Sequence, residues 1–185
     1  MISLDSDSKA AATISVDILD WDFTVFPPGH FDAIWASPPC TEYSRARTVA
    51  KTPRNLDLAD ALVQRALDII AYFKPKAWWI ENLWTGLLKT RSVVAGLAYV
   101  KIDYCRFGAA YKKRTALWTD VPFAETLCDK RCPGWNGRCH AAVAQRGGCP
   151  KMGAPAQTLD ALHALPPRLT TAGEAATRAF ILSEF

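Results

Sequence analysis

The fold is decided by residues 31–80, where two short apolar runs flank a long amphipathic segment. The sequence reads FDAIWASPPC at 31–40, LDLADALVQRALDIIAYF at 56–73 and AWWI at 77–80. Apolar residues recur at helical spacing across 56–73, Asn55 can cap the start of that helix, and Pro75 stops it. The flanking runs are typical of buried strands. The order strand, helix, strand is a βαβ unit, which predicts a parallel sheet.

The rest of the chain adds further candidate elements around this unit. Strands are predicted at Ile2–Asp5, Thr13–Asp17, Val100–Tyr104 and Thr115–Thr119. Shorter helices are predicted over Thr90–Ala98, from Thr158, and from Thr171 through Phe180, with Thr171 and Glu174 as a capping box. We therefore expect an α/β core over residues 1–120, a Cys-rich basic insert over 121–157, and C-terminal helices over 158–185 that complete the core.

The composition is that of a globular domain with a mild excess of positive charge. Of the 185 residues 50% are apolar and 22% are charged, and the formal net charge is +4. No apolar run reaches about 18 residues and the N-terminus has no secretory pattern, so we expect a cytoplasmic protein without a membrane span. Residues 101–151 carry ten basic and four acidic side chains, a net charge of +6. A second basic group comprises Arg45, Arg47, Lys51 and Arg54. This clustering suits a nucleic acid partner, and equally a solvated basic surface.

Reactive side chains follow three of the predicted strands. Cys40 comes after the strand at 31–36, Glu81 and Asn82 follow 77–80, and Arg106 follows the strand that ends at 104. Taken singly, each has a plain structural interpretation as a buried thiol, a helix cap or a surface ion pair. Because parallel strands place their carboxyl ends at one edge, however, the three groups form a plausible catalytic set.

The residues around these three groups resemble the motifs of a known family. Pro-Pro-Cys-x-x-Tyr-Ser at 38–44 is similar to the catalytic loop of DNA cytosine-5 methyltransferases, and Glu-Asn-Leu at 81–83 resembles their Glu-Asn-Val motif. YCRFG at 104–108 and YKKRT at 111–115 resemble the next, arginine-containing motif, in the manner of small phage-type members. The resemblance implies a Rossmann-like, S-adenosylmethionine-dependent methyltransferase fold, with Cys40 as nucleophile on cytosine carbon 6 and Glu81 as donor to ring nitrogen 3. It implies Arg106 as the orienting arginine, with Arg114 as its rival.

The same resemblance implies a cofactor site that is only half readable. Asp5 matches the acidic residue that binds the cofactor ribose, Asp17 and Ile18 match the pair at the adenine, and Pro38 is the fourth residue assigned to the cofactor. The family opens with a central strand and a glycine-rich loop, and this chain starts at what resembles the family's second strand. We therefore expect an N-terminally truncated fold with unpaired neighbouring strands. Either the true start lies upstream of Met1, the chain is a decayed remnant, or the sheet closes differently; we favour the first two.

The resemblance also implies DNA as the partner, with a base flipped out of the duplex. The substrate-binding residues that it implies are Pro39, Ser44, Asn82 and Arg114. Two other interpretations remain open: a DNA-binding remnant without catalysis, and the same chemistry on a free nucleotide.

The Cys-rich insert contains five possible metal ligands in a short window. They are Cys128, Cys132, Cys139, His140 and Cys149. We predict a structural zinc ion held by the four cysteines Cys128, Cys132, Cys139 and Cys149, although reduced thiols without a metal would have the same spacing.

Overall fold

A central mixed sheet with a long helix packed on one of its faces forms the core of the described chain. The structure is a computed structural model, and it describes residues 1–45, 47, 50–109, 111–143, 154–155 and 179–183. Within those residues the sheet has seven strands: β1 (Ile2–Asp5), β2 (Ile14–Ser15), β3 (Ala33–Ser37), β4 (Ala77–Leu83), β5 (Tyr99–Asp103), β6 (Arg114–Trp118) and β9 (Ala179–Ser183). Their order across the sheet is β2-β1-β9-β3-β4-β6-β5. Two shorter strands, β7 (Ala142–Val143) and β8 (Ala154–Pro155), pair in parallel as a separate ribbon.

The predicted βαβ unit is confirmed. Helix α1 spans Leu56–Phe73, and β3 and β4 on either side of it pair in parallel, with Ala36 opposite Ile80. The Asn55 side chain caps the helix by accepting a hydrogen bond from the Leu58 N–H at 3.0 Å. Strand β6 runs antiparallel to both β4 and β5, so the sheet is parallel except at this strand.

The place of the expected missing strand is filled by the other end of the chain. β9 lies between β1 and β3 and is parallel to both, with Leu182 opposite Leu4 on one side and Ala36 on the other. The expectation of unpaired neighbouring strands was therefore wrong. The sheet closes differently, with a strand from a later part of the same chain. The predicted final helix was also wrong at its end, since Ala179 and Phe180 belong to β9. The preceding part of that helix, and the helix predicted from Thr158, lie outside the described residues.

Apolar side chains are buried on both faces of the sheet. Ile34 of β3 points to the face covered by α1 and Trp35 to the opposite face, because successive strand residues alternate. Phe180 of β9 has no exposed surface and belongs to the apolar cluster on the α1 face, where it is stacked on Phe31 with ring centroids 4.7 Å apart. The apolar cluster on the opposite face is completed by residues that follow β5 and β6, among them Tyr104, Tyr111 and Phe123. Burial on both faces suits the near-continuous apolar runs of the parallel strands.

The connection before β5 differs from the prediction, and a backbone contact joins the insert to the end of that strand. The helix predicted over Thr90–Ala98 is replaced by two short 3-10 turns at Leu88–Thr90 and Ser92–Val94. The insert is attached to β5, because the Asp103 N–H donates to the Thr126 carbonyl at 2.9 Å. The proposed boundaries at 120 and 157 remain a prediction. None of the helices in the described part of the chain combines the length and apolar character that a membrane crossing requires.

Candidate active site

The carboxyl ends of four parallel strands meet at one edge of the sheet. Leu4, Leu182, Ala36 and Ile80 form one row across β1, β9, β3 and β4. The next residue along each strand is therefore Asp5, Ser183, Ser37 or Glu81, and the Cys40 loop leaves β3 from this row. Ligands of open parallel sheets bind at this kind of edge, so the structure brings the predicted cofactor and catalytic residues to a common side.

The loop that carries Cys40 is anchored at both ends by buried side chains. Asn82, 1% exposed, donates its Nδ2–H to the Pro38 carbonyl at 3.0 Å, and its Oδ1 accepts from the Leu83 N–H. Tyr43 has no exposed surface, and its hydroxyl donates to Asp60 Oδ1 of α1 at 2.9 Å. Burial, and then this carboxylate, raise the pKa of Tyr43. Because both flanks are fixed, the half-buried Cys40 thiol is held at the strand tip.

Two arginines of the predicted basic group support this loop from outside. The Arg54 guanidinium donates to the carbonyls of Glu42 and Ser44, the latter at 3.0 Å. Arg47 forms an ion pair with Glu42. Their charges are therefore engaged within the protein, whereas Arg45 and Lys51 are exposed.

Glu81 lies on the β4 face away from α1 and forms a buried ion pair. Lys113 Nζ lies 3.1 Å from Glu81 Oε1, and the two side chains are 9% and 7% exposed. Tyr104 and Tyr111 lie in the same environment: burial first, and then the Glu81 charge, raise the pKa of Tyr111 to about 12 and that of Tyr104 well above its usual value. Lys113 was not among the predicted site residues, although it lies inside the quoted YKKRT motif.

The two predicted arginines have other contacts. Arg106 is exposed on the 3-10 turn Tyr104–Phe107 and pairs with Asp129 of the insert at 2.8 Å. Arg114 donates from Nε and Nη2 to the two carboxylate oxygens of the buried Asp103, at 2.9 and 2.8 Å. Although burial raises the pKa of Asp103, hydrogen bonds from Arg114 and from the Cys128 N–H outweigh it and lower the pKa. The cation that the structure brings to Glu81 is therefore Lys113.

The predicted cofactor residues lie on and after β1. Asp5 is 5% exposed at the strand end, and one carboxylate oxygen accepts the Asp7 N–H at 2.8 Å. Asp17 is exposed and accepts the Leu19 N–H at 2.9 Å. Ile18 has no exposed surface and belongs to the core cluster on the α1 face. The roles assigned to these residues remain predictions.

The metal prediction requires a correction in its ligands. The structure gathers Cys128 and Cys132 with Cys105 and His140, and the four ligand atoms lie within 4.8 Å of one another. Cys139 lies outside this group, where its Sγ accepts the Asn136 amide at 3.6 Å. Cys149 lies outside the described residues. Cys105 was missed because it precedes Cys128 by 23 positions and lies outside the insert, so only the fold brings it there.

The anchored Pro-Pro-Cys loop after β3 and the Glu-Asn pair in the neighbouring parallel strand β4 bring a thiol and a carboxyl group to one edge of the sheet. The chain is 36% identical over 137 residues to a protein of Frog virus 3 (isolate Goorha) described as a probable DNA (cytosine-5)-methyltransferase. The description of that relative names the class of enzyme that the motifs indicated.

The extent of the match is partial. It covers 68% of this chain and 62% of the viral protein, so the chain spans about three fifths of that relative's length. A crystal structure of a proposed DNA modification methyltransferase from an E. coli prophage is similar with a TM-score of 0.44 and 15% identity, over 64% of this chain and 39% of that one. No family model matches the chain.

Proposed function

We propose that this chain transfers a methyl group from S-adenosylmethionine to carbon 5 of cytosine in DNA, through a covalent adduct with Cys40. The viral relative supports the reaction class. The observation that carries the proposal is the hydrogen bond from Asn82 to the Pro38 carbonyl. This bond fixes the thiol-bearing loop against the strand that holds Glu81, and such fixed geometry favours attack on a bound base.

The chemistry divides between the thiol and the buried ion pair. Cys40, as the thiolate, adds to carbon 6 of the cytosine, which makes carbon 5 nucleophilic. Glu81 and Lys113 together can accept and donate hydrogen bonds at the polar edge of the ring, where negative charge builds up during attack. After carbon 5 has gained the methyl group, a base removes the proton from carbon 5 and Cys40 leaves with its electron pair, which restores the aromatic ring.

S-adenosylmethionine is assigned to the edge formed by β1, β9 and β3. The buried carboxylate of Asp5 provides acceptors at a strand end for the hydrogen bonds that the ribose hydroxyls of such a cofactor donate. We assign Asp17 and Ile18 to the adenine side and Pro38 to the side of the reacting sulfonium. The cofactor supplies the electrophilic methyl group, and the protein residues position the base to receive it.

DNA is the proposed substrate, in the cytoplasm of a bacterial or phage-infected cell. We assign Pro39 and Ser44, on either side of Cys40, to the border of a flipped base. We assign Asn82 and Arg114 to positioning, since both are engaged with other protein groups. Exposed cations remain on the loop after Cys40 and on the insert: Arg45, Lys51, Lys130, Arg131 and Arg138. Contacts from these side chains to phosphates would hold the duplex.

Replacement of the nucleophile tests this proposal. We expect Cys40→Ala to lower methyl transfer to DNA by at least about a thousandfold, as for the loss of other nucleophiles. Binding of DNA should persist, because the thiol makes no phosphate contact. Cys139→Ser is the matched control, because it also removes a thiol but lies outside the catalytic loop and the metal-ligand group.

A trapping experiment separates the covalent mechanism from its alternatives. In the presence of S-adenosylmethionine, DNA with 5-fluorocytosine should form a complex with the wild-type chain that survives denaturing gel electrophoresis, because the methylated carbon 5 carries fluorine in place of the proton that must leave. Cys40→Ala should form none. Methylation that continues in Cys40→Ala would disprove the mechanism, and a wild-type chain that binds DNA but neither methylates nor traps would establish the inactive DNA-binding alternative.

A further inference from the structure

Three thiols and an imidazole converge where the insert meets the end of β5. His140 Nε2 lies 3.3 Å from the Sγ atoms of both Cys128 and Cys132, and 3.7 Å from that of Cys105. The Sγ atoms of Cys128 and Cys132 are 3.6 Å apart. Cys105, Cys132 and His140 are buried and Cys128 is half-buried. Water has little access to these polarisable groups, so an interaction among them must replace its contacts.

We propose that Cys105, Cys128, Cys132 and His140 bind one structural zinc ion, which fastens the insert to the turn that carries Arg106. A tetrahedral ion with Zn–S of about 2.3 Å and Zn–N of about 2.0 Å has S···S edges of about 3.8 Å and S···N edges of about 3.5 Å. The four separations given above match those edges to within a few tenths of an ångström, and all the ligand atoms lie within 4.8 Å of one another. Four protein ligands close the coordination shell, which is the pattern of a structural rather than a catalytic zinc ion.

The surrounding groups suit a bound thiolate cluster better than a disulfide. A disulfide needs about 2.05 Å between sulfurs, far less than the 3.6 Å between Cys128 and Cys132. The Lys130 N–H donates to the Cys128 sulfur at 3.3 Å, as backbone donors do around metal thiolates. Three thiolates on a divalent ion leave one negative charge, and the Lys112 ammonium acts electrostatically on both Cys128 and His140.

The described part of the insert, residues 121–143, has no apolar core of its own. Between residues 121 and 143, the buried side chains are Cys132, His140 and Val143. Backbone hydrogen bonds join Thr126 to β5, and the Ala142 carbonyl accepts the Lys112 N–H. A segment with so little apolar burial needs a covalent or metal cross-link to hold a single conformation. The zinc ion supplies that link and presents Lys130, Arg131 and Arg138 from a fixed frame.

Metal content of the purified full chain is the direct test. Prepared without chelators, the chain should carry about one zinc per molecule by mass spectrometry of the metals. Cys105→Ser and His140→Ala should lose zinc to a chromophoric chelator at concentrations at least about tenfold lower than wild type does. Cys139→Ser should behave like wild type, although it removes a neighbouring thiol. Loss of zinc in Cys139→Ser to the same degree, or none in Cys105→Ser, would overturn the ligand assignment.

A second measurement covers variants that fail to fold. Cobalt exchanged into the wild-type chain should show thiolate-to-metal charge transfer and the intense d–d bands of a tetrahedral site. Chelation should lower the melting temperature and change the fluorescence of Trp135, whose ring lies 5.2 Å from that of His140. Zinc should restore both, and magnesium should restore neither. A wild-type chain without metal that melts identically with and without chelator would disprove the site, whatever its activity toward DNA.

Discussion

At the level of single residues, the buried ion pair of Glu81 and Lys113 is the feature of the candidate site where loss of one partner should cost the most stability. Two charges taken out of water are tolerated only when they compensate each other. We predict that Glu81→Gln or Lys113→Met alone lowers the free energy of unfolding by about 3–5 kcal/mol, because each leaves one buried charge without its partner. Urea denaturation of each variant measures the loss.

The double variant separates a structural role of the pair from a catalytic one. Glu81→Gln with Lys113→Met removes both charges, so it should recover much of the lost stability, as a double-mutant cycle would show. Methyl transfer should remain impaired by about a hundredfold or more, because the hydrogen-bonding groups at the base are gone. Additive losses of stability would mean that the two side chains do not form the ion pair, and full activity of the double variant would exclude them from the reaction.

At the level of elements, β9 is the strand on which the sheet depends. It joins the β1–β2 pair to the β3–β4 pair, and Phe180 packs between Phe31 and Trp21 with ring centroids 4.7 and 4.9 Å away. We predict that Phe180→Ala lowers the free energy of unfolding by about 3–5 kcal/mol, the cost of a large buried cavity. Val25→Ala, at a site that is 66% exposed, should change it by less than about 0.5 kcal/mol. Similar small values for both would show that β9 is not packed in the core.

The elements that could be predicted from sequence are those whose signals are local. Helix α1 has its apolar period, its Asn55 cap and its terminating proline within a short stretch, so its bounds matched those of the structure. β9 is a short apolar run after a capping-box pattern, and its pairing partners lie at the other end of the sequence. Only those partners distinguish it from the end of a helix.

The candidate site likewise combines residues whose placement was predictable from sequence with residues that only the folded chain brings together. The placement of Cys40 just after β3, and of Glu81 and Asn82 near the carboxyl end of β4, followed from the parallel order of these two strands. Lys113 reaches Glu81 through the antiparallel pairing of β4 with β6, which the sequence did not reveal. Cys105 joins the thiol cluster for a similar reason, since β5 and the insert meet only in the folded chain.

At the level of the whole molecule, internal ion pairs decide which basic charges can reach DNA. Within residues 101–143 of the described chain, Lys101, Arg106 and Arg114 pair with acidic side chains and Lys113 is buried with Glu81. The exposed cations in the described part of the insert are Lys130, Arg131 and Arg138. The acidic partners of Lys101, Arg106 and Arg114 are already counted in the net charge of +6 over residues 101–151, whereas Glu81, the partner of Lys113, lies outside that range. One further positive charge is therefore unavailable to phosphates, and the insert is the main source of the remainder.

Matched pairs of substitutions can measure this contribution. We predict that Lys130→Gln with Arg131→Gln weakens DNA binding and reduces the slope of log affinity against log salt by up to about 2, since each phosphate contact contributes about 0.9. Lys74→Gln with Lys76→Gln is the control: it removes the same charge at the amino end of β4, away from Cys40, and Lys74, like Lys130, has a positive φ. Titrations at several salt concentrations give both slopes. An equal change in the two double variants would mean that net charge alone, and not the insert, attracts DNA.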